Sequence, residues 1–323
     1  MSSPSVSTAP RMVFDTATMY FRSYFGLPSS LKAPDGTSVN AVRGLLDALA
    51  KLIEQYRPAE VACAWDNDWR PTWRVDLVPS YKAHRVVEDS TSDVVGAGGV
   101  GAVSGQAEEV DDSLAVQVGI IVEVLDAIGM PVVGVDDHEA DDVLGSLAAA
   151  STRPCLVVTG DRDLFQLAHG DTTVVYIGKG VAKHELVDDE WLLAKYGITA
   201  EQYVDFSVLR GDPSDGLPGV KGIGEKSASQ LVQAHGSLDG MVAAASDPDS
   251  TMSKGLRAKL ADAVDYLGAA REVVQVVTGL AVTDELAVAD IAPDTERLDA
   301  LAERWGIRSS VDRLLQALET ARG

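Results

Sequence analysis

Five short apolar runs, most of them separated by longer stretches of helical spacing, constrain this 323-residue chain more than any other feature. The runs are Met12–Phe14, Val61–Trp65, Pro131–Val135, Cys155–Thr159 and Thr173–Ile177. β-Branched and aromatic residues fill them, and turn residues or charges bound them, which is the pattern of buried strands. Between them Val39–Tyr56, Ser113–Ile128 and Ala140–Ala150 read as helices; in the last, Val143, Leu144 and Leu147 recur on one face. Strand–helix alternation of this kind makes the expected fold class α/β, with a central, mostly parallel sheet flanked by helices. From about residue 185 the strand pattern fades, and Glu190–Lys195, Glu201–Leu209, Lys226–Ala234 and Lys254–Val277 look helical. The expected organisation is a disordered tail at 1–11, an α/β core at 12–185 with a flexible Gly- and acid-rich segment at 86–109, and a helical region at 186–323 packed on the core.

Charge and composition exclude several classes. With 27 Lys+Arg against 49 Asp+Glu the net charge is −22, which rules out a basic coat protein for nucleic acid but leaves room for a local basic path. No apolar run approaches the roughly 18 residues that a membrane span needs. Residues 1–11 lack the apolar stretch of a secretory signal. Cys63 and Cys155 lie inside apolar runs and read as buried thiols, so the expected compartment is the reducing cytoplasm. The five histidines form neither an H-E-x-x-H pattern nor a Cys/His pair, which argues against structural zinc.

The acids fall where a parallel sheet binds ligands, at the carboxyl ends of its strands. Asp15 closes the first run and Asp66 the second; Glu139, Asp141 and Asp142 follow the third; Asp161 and Asp163 follow the fourth. Asp212 and Asp215 sit in the turn-rich loop Gly211–Gly216. Each has a structural explanation on its own: the helix dipole for Glu139, Asp141 and Asp142, a cap for Asp163, turn formation for Asp212 and Asp215. Collected on one edge they repel, by about 1 kcal/mol per pair at 4 Å in water and several times that in a cleft. Their pKa values must rise unless cations neutralise them. Hard divalent cations suit such an oxygen set, and Mg²⁺ takes only about one or two carboxylates directly. Two ions about 4 Å apart would serve in-line attack of water on a phosphodiester.

Two further segments carry chemistry. Gly219–Ser227 is not a P-loop, because Glu225 stands where Lys is needed, nor a dinucleotide fingerprint, because Ser227 replaces the third Gly. It remains a glycine hairpin that opens a helix, whose free N–H groups can hold a phosphate with Lys221 and Lys226 adding charge; a plain helix–turn–helix joint is the alternative. Trp69, Arg70, Trp73, Arg74, Tyr81, Lys82 and Arg85 form the densest basic–aromatic stretch, suited to stacking on bases and holding phosphates, or else half-buried Trp residues with solvated Arg neighbours.

In this order and spacing the motifs resemble the 5′-nuclease family of 5′→3′ exonucleases and flap endonucleases, and within it the 5′-nuclease domain at the N-terminus of bacterial DNA polymerase I. The likeness runs from Val13 to about Leu315. It rests on Asp15 with Phe21-Arg22; on Asp66, Arg74 and Tyr81-Lys82-Ala83-His84-Arg85; on Glu139-Ala140-Asp141-Asp142; on Thr159-Gly160-Asp161-Arg162-Asp163-Leu164; and on Gly211 to Gly224 leading into a helix–hairpin–helix arm of the H3TH type. The resemblance implies a PIN/5′-nuclease-like core that hydrolyses DNA in replication and repair, at 5′ flaps, nicks or free 5′ ends. It implies two or three Mg²⁺ or Mn²⁺ ions among Asp15, Asp66, Glu139, Asp141, Asp142, Asp161, Asp163, Asp212 and Asp215. Lys82 and Arg85 are implied as catalytic residues at the scissile phosphate. Arg22, Arg74 and Tyr81 are implied to contact DNA near the cut. Gly219, Lys221, Gly222, Gly224, Lys226 and Ser227 are implied to grip the duplex backbone, with a K⁺ at the hairpin, and so to read shape rather than sequence.

Thr16 and Gly216 stand where the family usually has Gly and Asn, and Ser227 replaces a usual Thr. The stretch Val86–Glu109 is longer than the family's usual bacterial arch segment and carries no basic residue to attract a 5′ strand. With no polymerase module before Gly323, a monomeric stand-alone nuclease without a membrane partner is expected. The alternatives are a single-strand-specific ribonuclease of the related compact fold, a non-catalytic branched-DNA binder, and an aspartyl-phosphate enzyme using Asp15 or Asp161. The hairpin arm suits duplex rather than single strands; no expected acid, nor Lys82, is missing; and a phosphoenzyme needs far fewer acids.

Overall fold

The computed structural model describes residues 9–86 and 111–322. Six strands form one sheet: β1 (Arg11–Asp15), β2 (Glu60–Ala64), β3 (Val132–Val133), β4 (Cys155–Thr159), β5 (Thr172–Tyr176) and β6 (Glu185–Val187), in the spatial order β3-β2-β1-β4-β5-β6. Every neighbouring pair is parallel except β5–β6. The helices are α1 (Thr16–Gly26), α2 (Asn40–Tyr56), α3 (Thr72–Leu77), α4 (Asp112–Ile128), α5 (Ala140–Ala149), α6 (Asp189–Tyr196), α7 (Tyr203–Arg210), α8 (Glu225–His235), α9 (Leu238–Ser246), α10 (Lys254–Asp262), α11 (Val264–Val274), α12 (Thr295–Trp305) and α13 (Arg308–Arg322).

The strands read as continuous apolar runs because both faces of the sheet are buried. Side chains alternate along a strand, so β1 sends Met12 and Phe14 to one face and Val13 to the other. On the first face Met12, Phe14, Val61, Cys63, Val158 and Val175 meet Leu45, Leu46 and Leu49 of α2, Ile121 and Val124 of α4, Leu298 of α12 and Leu314 of α13. On the second, Val13, Ala62, Ala64, Val157 and Val174 meet Val143, Leu144 and Leu147 of α5 and the helices from α6 to α11. Full burial of each such aliphatic side chain contributes about 1.5–3 kcal/mol. Cys63 and Cys155 are buried free thiols, as expected, and burial pushes both up to about 12.

Most of the expected elements are present with shifted ends. Arg11 belongs to β1, not to the tail. The run Pro131–Val135 pairs over two residues only. The expected boundary at 185/186 falls inside β6, an antiparallel edge strand too short for its period to show. Lys254–Val277 divides at Ala263 into α10 and α11. The segment expected to be flexible, beyond Val86, and the first eight residues lie outside the described residues. Among the described residues no helix is long and apolar enough to cross a membrane.

The chain runs β1, β2, β3 outward in one direction and then returns past β1 to place β4 on its other side. That reversal falls between β1 and β4, whose carboxyl ends are the position where doubly wound sheets bind ligands.

Candidate active site

Backbone geometry at this edge aims the acids. Asp15 ends β1 and caps α1: its Oδ1 accepts the Thr18 N–H at 2.9 Å, and its Oδ2 accepts the Thr159 hydroxyl at 2.7 Å. Thr159 ends β4, and its Oγ1 accepts the Asp161 N–H at 2.9 Å. Asp161 Oδ1 in turn accepts the Asp163 N–H at 2.8 Å. One hydrogen-bonded chain thus joins Asp15, Asp161 and Asp163 across two adjacent strand ends. Asp66 lies just past β2, where its Oδ1 accepts the Ala140 N–H at 2.8 Å, an orphan donor of the α5 N-terminus.

The loop after α7 closes the edge from the other side. Asp212 accepts from the Ser214 N–H at 2.8 Å, so its turn-forming role is real. Asp215 pairs with Arg85 at 2.8 Å, and its carbonyl accepts the Lys82 N–H at 2.9 Å. Gly216 makes this seating possible. Its φ is +71°, and a Cβ there would lie 2.0 Å from the Ser80 carbonyl oxygen, so a side chain does not fit this packing. Lys82 itself adopts φ +48°, which turns its side chain inward to Glu139 and to the Trp69 carbonyl at 3.3 Å.

The electrostatics follow from crowding. Burial pushes Asp66 up to about 7 against the opposing pull of the Ala140 N–H and Lys82. Burial and Asp215 push Asp161 up to about 6. Asp141 rises through burial, Asp161, Asp15 and Glu139; Asp163 through burial, Asp161, Asp215 and Asp212; Asp215 through burial. Glu139 is the exception, because Lys82 and Arg74 outweigh its burial and hold it below the usual range. Burial likewise disfavours the Lys82 ammonium, but Glu139, Tyr81, Asp215 and Asp141 outweigh it and raise its pKa. The edge therefore holds more negative charge than its own bases neutralise. Every donor is a carboxylate or hydroxyl oxygen, which fits a hard divalent cation. Among the described residues no three His, Cys, Asp or Glu side chains are already grouped to hold one ion. Mg²⁺ does not require that, since water completes its shell.

The structure brings together Asp15, Asp66, Glu139, Asp141, Asp161, Asp163, Asp212 and Asp215 with Lys82 and Arg85, and places Asp142, Arg74 and Tyr81 differently. Asp142 is wholly buried with both oxygens engaged, by Arg74 at 2.7 and 3.0 Å and by the Val277 N–H at 2.8 Å. Arg74 is only 2% exposed and contacts protein, not solvent. Tyr81 is buried and donates its hydroxyl to Glu139 at 2.8 Å. Neither presents a surface to DNA. Their neighbours follow suit: Trp69 and Trp73 are half-buried, but Arg70 is buried rather than solvated. Asp163 does not act as a helix cap, the alternative reading of its position; it accepts from the Ser207 hydroxyl at 3.1 Å. Arg22 is exposed on α1 and donates to the Gly178 carbonyl at 2.6 Å.

Residues that the motifs did not single out complete the site. Arg210 lies 3.8 Å from Asp163 and 3.6 Å from Asp212. Its place, directly before the acidic loop, was the available signal. In the hairpin, Gly219 (φ +65°) and Gly222 (φ +78°) turn the chain, and Gly224 opens α8 with no side-chain cap, leaving N–H groups beside exposed Lys221, Lys226 and Ser227. A groove of about 480 Å³ runs from Gly222 and Ser227 to Ser253, which caps α10, and to Gly255 and Lys259 of that helix. Lys259 Nζ would stand 2.8 Å from a Cβ at Gly222, a proximity that only the packing of α10 reveals.

Two family models cover most of the chain. The 5′-3′ exonuclease N-terminal resolvase-like domain matches residues 10–197, and the 5′-3′ exonuclease C-terminal SAM fold matches residues 198–296. The chain belongs to the 5′-3′ exonuclease family and is a nuclease by that membership. It is similar to a 5′-3′ exonuclease of Streptomyces coelicolor, 48% identical over 311 residues that cover 95% of this chain and 99% of the relative. A 5′-3′ exonuclease of Mycobacterium tuberculosis is 47% identical over 330 residues, covering 98% and 99%. A DNA polymerase I of Mycobacterium bovis is 33% identical over 97% of this chain, which spans 32% of the polymerase. The fold is shared with T5 5′-exonuclease carrying zinc ions (TM-score 0.59, 17% identity, 97% and 99% coverage) and with the catalytic core of Rad2 in complex with DNA substrate (TM-score 0.59, 16% identity, 96% and 92% coverage).

Proposed function

We propose that the chain is a divalent-metal-dependent 5′ nuclease that hydrolyses DNA phosphodiesters at free 5′ ends and 5′-flap junctions, in replication and repair in the cytoplasm. The observation that carries this reading is the acid edge: Asp15, Asp161 and Asp163 joined in one hydrogen-bonded chain through Thr159, with Lys82 paired to Glu139 at the same edge. Mg²⁺ or Mn²⁺ held by some of Asp15, Asp66, Glu139, Asp141, Asp161, Asp163, Asp212 and Asp215 would supply Lewis acidity toward the phosphodiester. The chain's own residues do the rest. Thr159, Thr18 and Ala140 fix the Asp15 and Asp66 carboxylates by hydrogen bonds, so little reorganisation remains when substrate arrives. Lys82 and Arg85 flank the acids from one turn and bring positive charge to a phosphate drawn to the edge. The hairpin N–H groups with Lys221, Lys226 and Lys259 hold the duplex backbone, with K⁺ as a further ligand of the hairpin.

A gel assay on an end-labelled 5′-flap duplex tests this, run with Mg²⁺, with Mn²⁺ and with chelator beside an Asp161→Asn control. Metal-dependent cutting near the junction, lost in the control, is expected. Branched DNA bound but uncut in either metal would replace this reading with a non-catalytic binder.

A further inference from the structure

Arg74 sits on α3 in the middle of the basic–aromatic stretch, yet each nitrogen of its side chain is engaged by protein. Nε donates to the Val273 carbonyl at 3.1 Å. Nη1 donates to Asp142 Oδ2 at 3.0 Å and lies 3.2 Å from Glu139 Oε1, and Nη2 donates to Asp142 Oδ1 at 2.7 Å. The Trp73 ring covers the guanidinium at 4.5 Å. These acceptors come from three places: Glu139 faces Lys82, Asp142 is in the first turn of α5, and Val273 is in the last turn of α11. The Val277 N–H, just past α11, closes on Asp142 at 2.8 Å. Only a planar, always-charged fork satisfies acceptors in this arrangement.

α11 also reaches the hairpin. The Tyr266 hydroxyl, one end of the helix, accepts the Gly219 N–H at 2.9 Å. One helix therefore touches the hairpin through Tyr266 and the acid edge through Val273 and Arg74.

We propose that Arg74 is a positioning residue for the nuclease reaction: it fixes the Glu139 carboxylate against Lys82 and registers the acid edge to α11, the helix that braces the hairpin. The proposal rests on the nuclease reading of the acid edge. It replaces a DNA contact, which burial of the guanidinium precludes, with an action through Glu139.

Removing Arg74 alone strands the Asp142 charge and risks unfolding. The test variant is therefore Arg74→Met/Asp142→Asn, which removes both charges and leaves an amide oxygen for the Val277 N–H. Arg74→Lys is made beside it. Four quantities are measured on the full chain: the melting transition, Mn²⁺ affinity from free Mn²⁺ by electron paramagnetic resonance, flap-DNA affinity in chelator, and the single-turnover cleavage rate. The double variant should melt cooperatively, bind flap DNA like wild type, and lose about 10–100-fold in Mn²⁺ affinity or in rate, the loss typical when a ligand's supporting partner is removed. Arg74→Lys keeps the charge without the fork and should not restore the loss. Wild-type Mn²⁺ affinity and rate in a folded double variant would overturn the proposal, as would a loss of DNA affinity equal to the loss of rate. If the double variant does not melt cooperatively, Arg74→Lys decides by the same readouts. Failure of wild type to cut any DNA would sink the nuclease reading alone, because the Mn²⁺ titration still decides whether Arg74 acts on Glu139.

Discussion

Glu139 and Asp142 flank the same helix start, and both are acids of one motif, yet their environments give them opposite work. Glu139 turns toward Lys82 and the acid edge; Asp142 turns toward Arg74 and is spent on a bidentate pair. Lys82 is the residue on which the chemistry leans hardest, since it is a buried cation paired with Glu139 at the acid edge. Lys82→Ala should lower the single-turnover cleavage rate by about 10²–10³-fold, the usual cost of losing one preorganised group that stabilises transition-state charge. Flap-DNA affinity should stay close to wild type. Rapid-quench kinetics beside fluorescence anisotropy separate the two, and a loss confined to binding would make Lys82 a DNA-holding residue instead.

At the scale of the element, the hairpin and its helices make a compact anion-binding surface. Gly219 and Gly222 supply the positive φ, the uncapped start of α8 supplies donors, and Lys259 arrives from α10, which lies far along the chain. These groups meet phosphates, so they set affinity and salt dependence rather than sequence preference. Replacing Lys221, Lys226 and Lys259 by Ala, one at a time, should each reduce the slope of log affinity against log salt by about 0.9 for every phosphate that is no longer neutralised. A Lys259→Ala variant with an unchanged slope would remove the groove from the DNA path while leaving the hairpin in it.

Across the whole molecule, the acid edge couples folding to protons and to metal. Asp66 and Asp161 have folded pKa values near 7 and 6, above the ordinary 3.8, and Asp141, Asp163 and Asp215 shift the same way. A raised folded pKa means that the native state binds the proton more tightly. That contribution is fully present below the unfolded pKa and is lost as pH rises through the folded one. Glu139 runs the other way, and its contribution is lost only as pH falls below the ordinary carboxylate range. Metal-free protein should therefore melt several degrees higher near pH 5.5 than near pH 8, as a few kcal/mol implies for a chain of this size. Excess Mg²⁺ should close that gap by stabilising the ionised acids. Calorimetry at both pH values, with Asp66→Asn/Asp161→Asn as reference, isolates the effect from the general repulsion of a −22 chain. A reference variant with the same pH dependence as wild type would locate the effect elsewhere on the surface.

The linear chain determined what depends on local pattern: the alternation of buried strands and amphipathic helices, and with it a parallel sheet and the edge at which its acids must gather. It determined the motif order from Asp15 to Gly224, and so the family. It did not show β6, whose three residues are too few for a period, nor the break at Ala263 that separates α10 from α11. Tertiary structure decided which like charges become different residues. An Asp in a first helical turn reads the same whether it faces a cleft or an arginine, and only the packing of α3 and α11 around Asp142 makes it a partner of Arg74. For the same reason Tyr81 and Arg74 read as surface groups but are interior ones, and Lys259 reads as an ordinary helix lysine but stands at the hairpin. Composition and spacing fix which groups a chain owns; burial and the direction of each side chain, set by neighbours distant in sequence, fix what those groups can touch.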